Sequence, residues 1–448
     1  MFEKQKESYT KFKNVVLFEN YTLDIPEDWD IHRLRHIFSF RKGLTITKEN
    51  LQEEGVPCLN YGEIHSKFGF SVTPEKDTLP CVDEKYLESN NSSLIKHGDF
   101  IFADTSEDIA GSGNFSYLNS KQKIFAGYHT VIASLKSEQN ERFLAYLFDS
   151  QSFREQIQRR TKGVKVYSIT QAILKPTYIW LPSPQEQKEI VYYLDSKISK
   201  VDELIIRKEK QIELLSERKR IIIQNAVLSG IDSHVSMKDS GISWIGDIPS
   251  HWTLKRLKYI LSERNDRSSK GEEPLLMMSQ VHGLVVRSEF HSKAEVAATN
   301  KGNKIVYKND LVFNKLKSHL GVFFKSNIDF EGLVSPDYAV YKPKAYIKDM
   351  KILEVLFRHP KYIEQFIIRA TGIVEGLIRL YTDDLFDITI PIAPEDEQQE
   401  ILDFIECESK KFDDSIKVFQ KQIEKLKEYK VTLINSAVTG KIKVPETT

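Results

Sequence analysis

The residues that come closest to a catalytic constellation lie between positions 336 and 351. Pro336-Asp337 followed by Asp349-Met350-Lys351 fits the loose Pro-Asp…Asp/Glu-x-Lys pattern of Mg²⁺-dependent nucleases. In that pattern two carboxylates hold the metal ion, which activates a water molecule that the lysine positions. The pattern belongs on a strand, whereas Ile352 and Leu356 follow Asp349 at helical spacing, where an acid acts well as a cap. We therefore interpret Asp349 as a helix cap and keep a stand-alone Mg²⁺-dependent DNA endonuclease as the alternative function.

Other catalytic patterns are weaker or missing. Ser335-Pro336-Asp337-Tyr338 resembles the loop that holds the target amine in amino-methyltransferases, but its third residue is wrong and no glycine-rich turn for S-adenosylmethionine precedes it. The sequence has no Gly-x-x-x-x-Gly-Lys-Ser/Thr loop for ATP, and its eleven histidines form no His-x-x-x-His pair. Cys58, Cys81 and Cys407 form no Cys-x-x-Cys pair. The sequence therefore predicts a chain that is not an enzyme and binds no metal ion or cofactor.

Composition indicates a globular protein of at least two domains. A chain of 448 residues exceeds what one hydrophobic core usually supports, and 40% hydrophobic with 29% charged residues excludes a mostly disordered chain. The 64 basic residues balance 64 acidic ones, so any DNA binding must come from local basic patches. The odd cysteine count fits a reducing cytoplasm, and no apolar stretch approaches the ~20 residues of a membrane span. We expect a cytoplasmic protein without a membrane partner.

The strongest signal in the sequence is an internal repeat. Residues 186–227 match residues 397–438 at 17 of 42 positions without a gap. Fainter echoes precede each copy: Ile25-Pro26-x-x-Trp29 recurs as Ile248-Pro249-x-x-Trp252, and Asp99-Phe100-Ile101-Phe102 resembles Asp310-Leu311-Val312-Phe313. Two copies of this length are too few for a solenoid, so we predict two tandem halves.

The better preserved segment of each half is predicted to be a long helix. Ser183-Pro184-Gln185-Glu186 offers a capping serine, a proline at the first helical position and a glutamate three residues after the cap. Apolar residues then recur in steps of three and four for roughly forty residues, or ~60 Å, until Gly230 and, in the second copy, Gly440. The stripe residues are Ile190, Leu194, Val201, Ile205, Ile212 and Leu215, and Ile401, Ile405, Phe412, Ile416, Ile423 and Leu426.

One such helix cannot hide its stripe alone, so we predict that the two helices pack along each other as an antiparallel coiled coil. Lys208, Lys219 and Lys430 interrupt the stripe. The alternative is that each helix packs only on its own globular part.

The predicted fold class is α+β: two mixed α/β domains and the two long helices in a pseudo-twofold repeat. Each globular part combines short strands, such as Asp99–Ala103 and Asp310–Asn314, with one helix, Glu141–Arg159 or Asp349–Arg369. The predicted segments are domain 1 at 1–182, the first long helix at 183–230, a linker at 231–247, domain 2 at 248–391 and the second long helix at 392–448.

Basic and amide-bearing residues gather in loops between apolar runs and are the candidate DNA contacts. Lysine and arginine bind phosphates or guanine edges, whereas asparagine and glutamine suit adenine. For any one of these residues a solvated loop is the plain alternative. The candidates are Arg41, Lys42, His65, Lys67, Arg160, Lys162, Lys165 and Tyr167 in the first half, and Arg267, Gln280, His282, Lys315, Lys317, His319 and Arg379 in the second.

The segment from Met237 to Trp252 resembles the one that opens a target recognition domain in Type I restriction-modification specificity subunits. The Pro-x-x-Glu-Gln segments at Pro182–Gln187 and Pro394–Gln398 resemble the conserved regions of that family, with one residue more between the last proline and Glu-Gln in the second copy. The resemblance covers nearly the whole chain and leaves out only residues 1–20.

The resemblance implies a sequence-specific DNA-binding subunit in which each recognition domain reads one half of a split double-stranded site. It also implies that the paired helices set the gap and dock two methyltransferase subunits, and that restriction subunits join the complex. S-adenosylmethionine, ATP and Mg²⁺ are then expected on those partners. We expect the stripe residues of the helices to form the docking surface. A structural coiled-coil adaptor without a DNA role is a further alternative.

Overall fold

The computed structural model describes residues 11–163, 165–280, 282–290, 300–372 and 378–445, without the side chains of Ser318 and His319. By its internal contacts the chain divides into two compact units. Unit 1 comprises Met1–Lys208 with Lys421–Thr448, and unit 2 comprises Glu209–Gln420. Each unit therefore contains part of both long helices, and the domain boundaries drawn from the sequence stay a prediction.

The strands of unit 1 form two main sheets and three short pairs. The larger sheet has the order β4-β13-β9-β11-β6 and the smaller β7-β5-β12-β8. The strands are β1 (Phe12–Phe18), β2 (Tyr21–Pro26), β3 (Asp30–Arg33), β4 (Phe38–Lys42), β5 (Val56–Leu59), β6 (Phe70–Val72), β7 (Cys81–Val82), β8 (Leu94–Ile95), β9 (Phe100–Ala103), β10 (Thr105–Ser106), β11 (Phe115–Leu118), β12 (Ile124–Ala126), β13 (Thr130–Leu135), β14 (Tyr167–Ser168) and β15 (Tyr178–Leu181).

The short helices of unit 1 cover the larger sheet and lead to the first long helix. Phe100, Phe115 and Phe148 pack together in the main core, where their rings lie 4.9–6.1 Å apart between centroids. The helices are α1 (Leu34–Ile37), α2 (Tyr61–Ser66), α3 (Tyr86–Ser89), α4 (Glu141–Asp149), α5 (Gln151–Gln158), α6 (Gln171–Leu174) and α7 (Pro184–Ser229).

Unit 2 repeats this plan with a smaller central sheet of order β19-β26-β23-β24. Phe313 and Phe323 stack at 4.0 Å in its main core. The strands are β16 (Met237–Asp239), β17 (Asp247–Pro249), β18 (Thr253–Arg256), β19 (Leu261–Glu263), β20 (Leu276–Ser279), β21 (Gly283–Val286), β22 (Lys304–Val306), β23 (Leu311–Asn314), β24 (Phe323–Lys325), β25 (Gly332–Val334), β26 (Tyr338–Pro343) and β27 (Thr389–Ile392). The helices are α8 (Leu257–Ile260), α9 (Arg287–Phe290), α10 (Lys351–Leu356), α11 (Pro360–Arg369), α12 (Thr382–Phe386) and α13 (Glu395–Val438).

The two long helices pack against each other in opposite directions within each unit. In unit 1 the Lys430 ammonium lies 2.8 Å from Asp202, and the Lys208 ammonium donates to Gln422 at 2.6 Å. In unit 2 the Lys219 ammonium lies 2.7 Å from the Asp413 carboxylate. As the residue number rises along α7, it falls along α13, so the pairing is antiparallel.

The stripe lysines are therefore interhelical partners, and the alternative of two separate helices is wrong. The core of unit 1 joins Ile190 and Leu194 of α7 to Leu433 of α13. The core of unit 2 joins Ala226 of α7 to Ile401 of α13. Within each unit the two helices are thus joined by both apolar and charged contacts.

The structure corrects two local predictions about helices. The expected helix Glu141–Arg159 breaks at Ser150, whose side chain caps α5 by accepting from the Phe153 amide. The expected helix Asp349–Arg369 breaks before Pro360, which opens α11. Proline fits the first turn of a helix but not its interior, so this break has a simple cause.

The expected linker at 231–247 contains a strand. β16 pairs with β17 in antiparallel fashion, from Met237 opposite Pro249 to Asp239 opposite Asp247. β1 pairs with β2 in the same way in unit 1. The Lys13 ammonium donates to the carbonyl of Trp29, and the Lys238 ammonium donates to that of Trp252. The first strands of predicted domain 1, β1 and β2, and the expected linker with β17 are therefore equivalent parts of the repeat.

Candidate nucleic-acid interface

Three strand ends meet at one end of the larger sheet of unit 1, which we call edge 1. Antiparallel pairing places Lys42 at the end of β4 opposite Val131, and Ala103 at the end of β9 opposite Thr130. The Asp104 amide donates to the His129 carbonyl at 3.0 Å. Edge 1 thus collects the residues that follow β4 and β9 and those that precede β13.

Hydrogen bonds fix the polar side chains of edge 1. Asp104 Oδ1 accepts from Thr105 Oγ1 at 2.7 Å and lies 3.1 Å from His129 Nδ1. His65 Nε2 lies 2.8 Å from the Thr105 carbonyl. His129 has φ of +55°, in the left-handed region that costs energy for a residue with a side chain. Such strain persists only where surrounding contacts hold it, and it is frequent at functional sites.

Several residues predicted from sequence gather at edge 1. Lys42 is exposed, and His65 takes part in the network just described. Tyr167 pairs with Ser106 through the short ladder of β10 and β14. Lys67 is exposed at the end of α2, two residues after His65.

Two exposed lysines precede Tyr167 in the loop between α5 and β14. They are Lys162 and Lys165, and both side chains are exposed. Residue 164 between them lies outside the described residues. The loop therefore offers cations next to edge 1, and their contact with DNA stays a prediction.

Arg41 and Arg160 are corrected, because both point into unit 1. Arg41 pairs with the buried Asp99 at 3.0 Å and donates to the carbonyls of residues 92 and 94. Arg160 donates to the Leu17 carbonyl and lies 4.6 Å above the Phe18 ring. Burial lowers the pKa of Arg160. Their donors serve the fold, so we remove both from the candidate DNA contacts.

The equivalent end of the sheet in unit 2, edge 2, has the same backbone plan with different side chains. Asn314 at the end of β23 pairs with Tyr338 at the start of β26. The Leu380 amide donates to the Lys315 carbonyl at 3.2 Å, as the Ile169 amide donates to that of Asp104 at 2.8 Å. Lys315 therefore occupies in edge 2 the position that Asp104 occupies in edge 1.

Edge 2 presents basic residues predicted from sequence. The Lys315 ammonium lies 3.6 Å from Glu263, and Lys317 is exposed. Burial opposes the charge of Glu263, but its contacts with Lys304, Lys315 and Thr382 leave its pKa below the ordinary value. Arg379 pairs through its backbone with Thr371 near Lys315. Of the loop between them, residues 373–377 lie outside the described residues.

The remaining candidates of unit 2 lie on other elements. Arg267 donates to the Gly302 carbonyl at 2.8 Å. Gln280 and His282 are exposed in the turn that joins β20 to β21, where the His282 ring lies 4.9 Å from that of Phe290. The side chain of His319 lies outside the described residues. The structure thus brings Lys315 and Arg379 to edge 2 but leaves Gln280 and His282 on a separate hairpin.

The nuclease pattern does not assemble. Asp337 is exposed before β26, whereas Asp349 follows that six-residue strand, so a strand length of roughly 20 Å separates them. Asp349 accepts from the Lys351 amide and pairs with Lys325 at 2.7 Å. Among the described residues, no group of three or more His, Cys, Asp or Glu could hold a metal ion. The N-cap of α10 is Met350, and Asp349 stands one residue before it and accepts from the first amide of the helix, so it acts at the helix start and the endonuclease alternative loses its site.

The stripe residues of the long helices face inward. Ile190, Leu194, Val201, Ile401, Ile405 and Ile423 are buried. Ile205, Ile212, Leu215, Phe412, Ile416 and Leu426 are partly buried on the same stripe. We therefore correct the expectation that these side chains form a docking surface, because they hold the helix pair together.

A tryptophan in each unit joins the globular part to both long helices. Trp29 is fully buried, and its indole N–H donates to Glu186 of α7 at 3.1 Å. A side chain on Gly440, which follows α13 with φ of +69°, would collide with Pro26 beside Trp29. Only glycine fits this close approach at positive φ.

Unit 2 repeats the arrangement. The Trp252 indole donates to Glu397 of α13 at 2.9 Å, and Gly230 after α7 has φ of +77° with Trp252 beside it. His251 Nε2 lies 2.7 Å from the same Glu397 carboxylate. Sequence reasoning found the repeated tryptophans, glycines and glutamates but not the contacts between them, because the tryptophans recur at an offset of 223 and the glutamates at 211.

Sequence reasoning also missed Asp104 and His129 as members of the site. Neither belongs to a motif, and position 104 differs from its equivalent, Lys315. The one sequence signal at Asp104 is that a polar residue directly follows a buried strand, and this pattern is too common to identify a site. As a separate matter, no helix within the described ranges has the length and apolar character that a membrane span requires.

Comparison with known proteins places the chain among DNA-recognition proteins. Residues 26–214 match the family model of the Type I restriction modification DNA specificity domain. The putative type I restriction enzyme MjaX specificity subunit of Methanocaldococcus jannaschii is 28% identical over 437 residues, 94% of this chain and 95% of the relative. The type I restriction enzyme MjaVIII specificity subunit of the same organism is 24% identical over 446 residues, 95% of this chain and 96% of the relative.

Solved structures show the same fold. A chain from a structure concerned with complex assembly and conformational transition of the type I R-M system aligns with a TM-score of 0.65 at 16% identity, over 93% of this chain and 99% of that chain. The HsdS subunit from Thermoanaerobacter tengcongensis aligns with a TM-score of 0.50 at 16% identity, over 94% of this chain and 99% of that chain.

The fold and the matched domain define a DNA specificity protein with a mixed α/β architecture and long helices. The chain is similar over nearly its whole length to specificity subunits of the Type I restriction-modification family, and residues 26–214 match the DNA specificity domain of that family. The role of that family is recognition of DNA rather than catalysis.

Proposed function

We propose that this chain reads a split site in double-stranded DNA, with edge 1 on one half-site and edge 2 on the other. The observation that carries the proposal is the equivalence of the two edges, where Asp104 and Lys315 accept the same backbone hydrogen bond on the same plan. Two readers with one backbone and different side chains suit two half-sites of different sequence. Lysines beside each edge supply the phosphate contacts that position a reader on the duplex.

The paired helices set the distance between the half-sites in this proposal. α7 and α13 are continuous helices of 46 and 44 residues, and interhelical ion pairs fix their register. Half-site spacing in a duplex follows from how rigidly two readers are joined. A constant gap between half-sites is therefore expected.

Partner subunits supply the chemistry. We propose that two methyltransferase subunits and restriction subunits assemble with this chain, and that they bind S-adenosylmethionine, ATP and Mg²⁺. The outward face of α7 suits a methyltransferase subunit better than the stripe does, because it leaves large apolar side chains in solvent. Tyr192, Ile206, Leu214 and Ile221 are 45–68% exposed, and a row of exposed apolar residues marks an interaction surface.

Methylation mapping tests the function directly. The chain is co-expressed with its methyltransferase partner in a host that lacks other DNA methylation, and modified bases are mapped across the genome. The expected result is one motif of two specific halves separated by an unspecified gap of constant length. Methylation without a split motif, or none above that of the methyltransferase alone, would refute the proposal.

A pair of neighbouring substitutions tests the docking surface. Ile206→Asp changes a residue that is 65% exposed, whereas Ile205→Asp changes its partly buried neighbour on the stripe. Ile206→Asp should abolish co-purification with the methyltransferase while the melting temperature stays that of the wild type. Ile205→Asp should lower the melting temperature as well, because it places a charge between the helices. A full complex with Ile206→Asp would show that the outward face of α7 is not the docking surface.

A further inference from the structure

The polar side chains of edge 1 border a cavity of about 590 Å³. It lies where the ends of β4 and β9 and the start of β13 meet β14 and α6. Its lining includes Lys42, Asp104, Tyr128, His129, Ser168 and Gln171. The cavity therefore presents a cation, a carboxylate, an amide and an aromatic ring within one recess.

We infer that Asp104 reads an exocyclic amino group of a base in the first half-site. This inference rests on the proposed function, because it assumes that edge 1 meets DNA. It names one residue that sets the specificity of that reader, together with the class of chemical group that the residue recognises.

The charge of Asp104 carries the argument. A carboxylate only accepts hydrogen bonds. The phosphate oxygens of DNA have no hydrogen to donate, and their negative charge repels a carboxylate. In the major groove the donors are the amino groups of cytosine and adenine. A carboxylate at a DNA-facing edge is therefore favourable only opposite such a group. Lys162 and Lys165, exposed in the adjoining loop, are suited to the phosphates instead.

The geometry holds the carboxylate ready. Its Oδ1 is held by Thr105 and His129 at 2.7 and 3.1 Å. The hydrogen bonds that the described residues make to the Asp104 carboxylate go to Oδ1 and none goes to Oδ2. His129 in turn packs edge-on against Tyr61 at 5.3 Å between ring centroids. One oxygen thus anchors the group, and the other is left to accept from a ligand.

A second series of hydrogen bonds holds Thr105, the residue next to Asp104, in place. Arg154 donates to Asn114 Oδ1 at 2.5 Å, and Asn114 Nδ2 lies 2.8 Å from His65 Nδ1. His65 Nε2 lies 2.8 Å from the carbonyl of Thr105. A rigidly held carboxylate discriminates between bases better than a mobile one. Opposite a base without an amino group it cannot move to another donor, so the acceptor stays unpaired and binding is weaker.

Edge 2 supplies a natural contrast. Lys315 replaces Asp104 at the equivalent backbone position. A lysine there donates, so it matches guanine acceptors or a phosphate and repels the amino groups that Asp104 accepts. The two half-sites should therefore differ at the position that these residues face.

The test maps methylation by the complete complex with Asp104→Ala and, as a matched control, Glu107→Ala. Glu107 is exposed three residues away and its change removes the same charge, but it does not line the cavity. Asp104→Ala should relax one position of the first half-site, raising methylation of sites with a changed base there by about 5- to 150-fold relative to the cognate site. The second half-site and the gap should be unchanged. Glu107→Ala should keep the wild-type motif.

Binding to modified duplexes identifies the group that is read. Replacing the base at the relaxed position by an analogue without the amino group should weaken the wild type but not Asp104→Ala. If Asp104→Ala destabilises the chain, Asp104→Asn serves in its place, since it keeps the shape and changes the hydrogen-bonding pattern.

Three results would overturn the inference. The first is that Asp104→Ala methylates the same motif as the wild type. The second is that it loses methylation equally at all sites, with no base position relaxed. The third is that the base analogue weakens binding of Asp104→Ala as much as binding of the wild type. In each case the wild type would still modify a split motif, so the proposed function would stand. A wild type without a split motif would instead refute the proposed function itself.

Discussion

The two units share their interior contacts but not their edges. Arg41 pairs with buried Asp99 in unit 1, and Arg264 pairs with buried Asp310 in unit 2, with both arginines twelve residues after a buried tryptophan. The tryptophans each donate to a glutamate of a long helix. The arginine pairs lie inside the globular parts, where Asp99 and Asp310 come directly before β9 and β23, and the tryptophan contacts hold each globular part to a long helix.

The edges differ in charge at equivalent positions. Asp104 in edge 1 corresponds to Lys315 in edge 2, although the backbone hydrogen bond at each is the same. The comparison teaches that the interior fixes where the strand ends lie, while the residues just beyond them are free to differ. A protein whose two readers need different targets can therefore change its edges without changing its fold.

The largest expected effect comes from breaking the interior pairs. Arg41→Ala leaves the Asp99 carboxylate, 2% exposed, without its ion partner. Loss of one member of a buried pair typically costs about 3–5 kcal/mol. Urea unfolding of the full chain should show unit 1 melting at a clearly lower concentration. Arg264→Ala should do the same to unit 2, since Asp310 is 1% exposed.

Lys42→Ala is the matched control, because Lys42 is exposed beside Arg41. It should leave the unfolding midpoint unchanged. Equal midpoints for Arg41→Ala and Lys42→Ala would contradict the division between interior and edge.

The long helices and the repeat could be predicted from the sequence because they follow local rules. A capping serine, a proline at the first helical position and apolar residues at helical spacing define α7 without tertiary information. The predicted strand Asp99–Ala103 appears as β9. The strand β16 in the expected linker was not predictable locally, because Met237–Asp239 has no alternating pattern and forms only against β17.

The destinations of the arginines could not be predicted, because they depend on residues far along the chain. The acceptor of Arg41 is Asp99, 58 residues away, and that of Arg160 is the carbonyl of Leu17, 143 residues away. A basic residue in a polar loop looks the same in the sequence whether it faces solvent or turns inward. Edge 1 was equally hidden, since Asp104 and His129 meet only through strand pairing.

The next effect concerns the two tryptophan-bound glutamates and depends on pH. Burial, with a smaller contribution from the nearby Glu189 carboxylate, raises the pKa of Glu186 to about 7. The folded state then binds more protons than the unfolded state between about pH 4.5 and 7, so this contribution to stability falls as the pH rises through that range. Glu186→Gln removes the ionisation.

Glu186→Gln should be more stable than the wild type by about 1–2 kcal/mol near pH 8, a range that allows for the partial solvent exposure of the group. The two should converge near pH 4, as read from urea unfolding at each pH. Glu397→Gln is the comparison, because Glu397 has His251 2.7 Å away. It should gain no stability at high pH. An equal gain in stability at high pH for Glu186→Gln and Glu397→Gln would show that His251 does not make the two glutamates differ.

Lysines beside the edges should affect DNA binding without affecting stability. Lys162→Ala and Lys317→Ala remove exposed cations beside edge 1 and edge 2. Each should weaken binding to cognate and random duplexes alike and make the salt dependence shallower by about 0.9 in log–log slope. Lys121→Ala, an exposed lysine before β12, should leave the slope unchanged. A wild-type slope for Lys162→Ala or Lys317→Ala would remove that lysine from the interface.

The smallest expected effect on stability comes from the ion pairs between the long helices, where the two halves of the repeat are most alike. Asp202 with Lys430 and Lys219 with Asp413 are the same pair seen from the two copies, since the repeat offset of 211 converts one into the other. Both pairs are partly exposed, so each should contribute about 0.2–1 kcal/mol of coupling in a double-mutant cycle.

The register that these pairs specify is more informative than their energy. Asp202→Lys alone places two cations together, and Lys430→Asp in the same chain should restore the wild-type melting temperature. Combining Asp202→Lys with Lys219→Asp should fail to restore it, because those residues lie on one helix and each then faces a like charge on α13. Rescue by this second combination would mean that the helices do not hold the antiparallel register, and the proposed constant gap between half-sites would lose its physical basis.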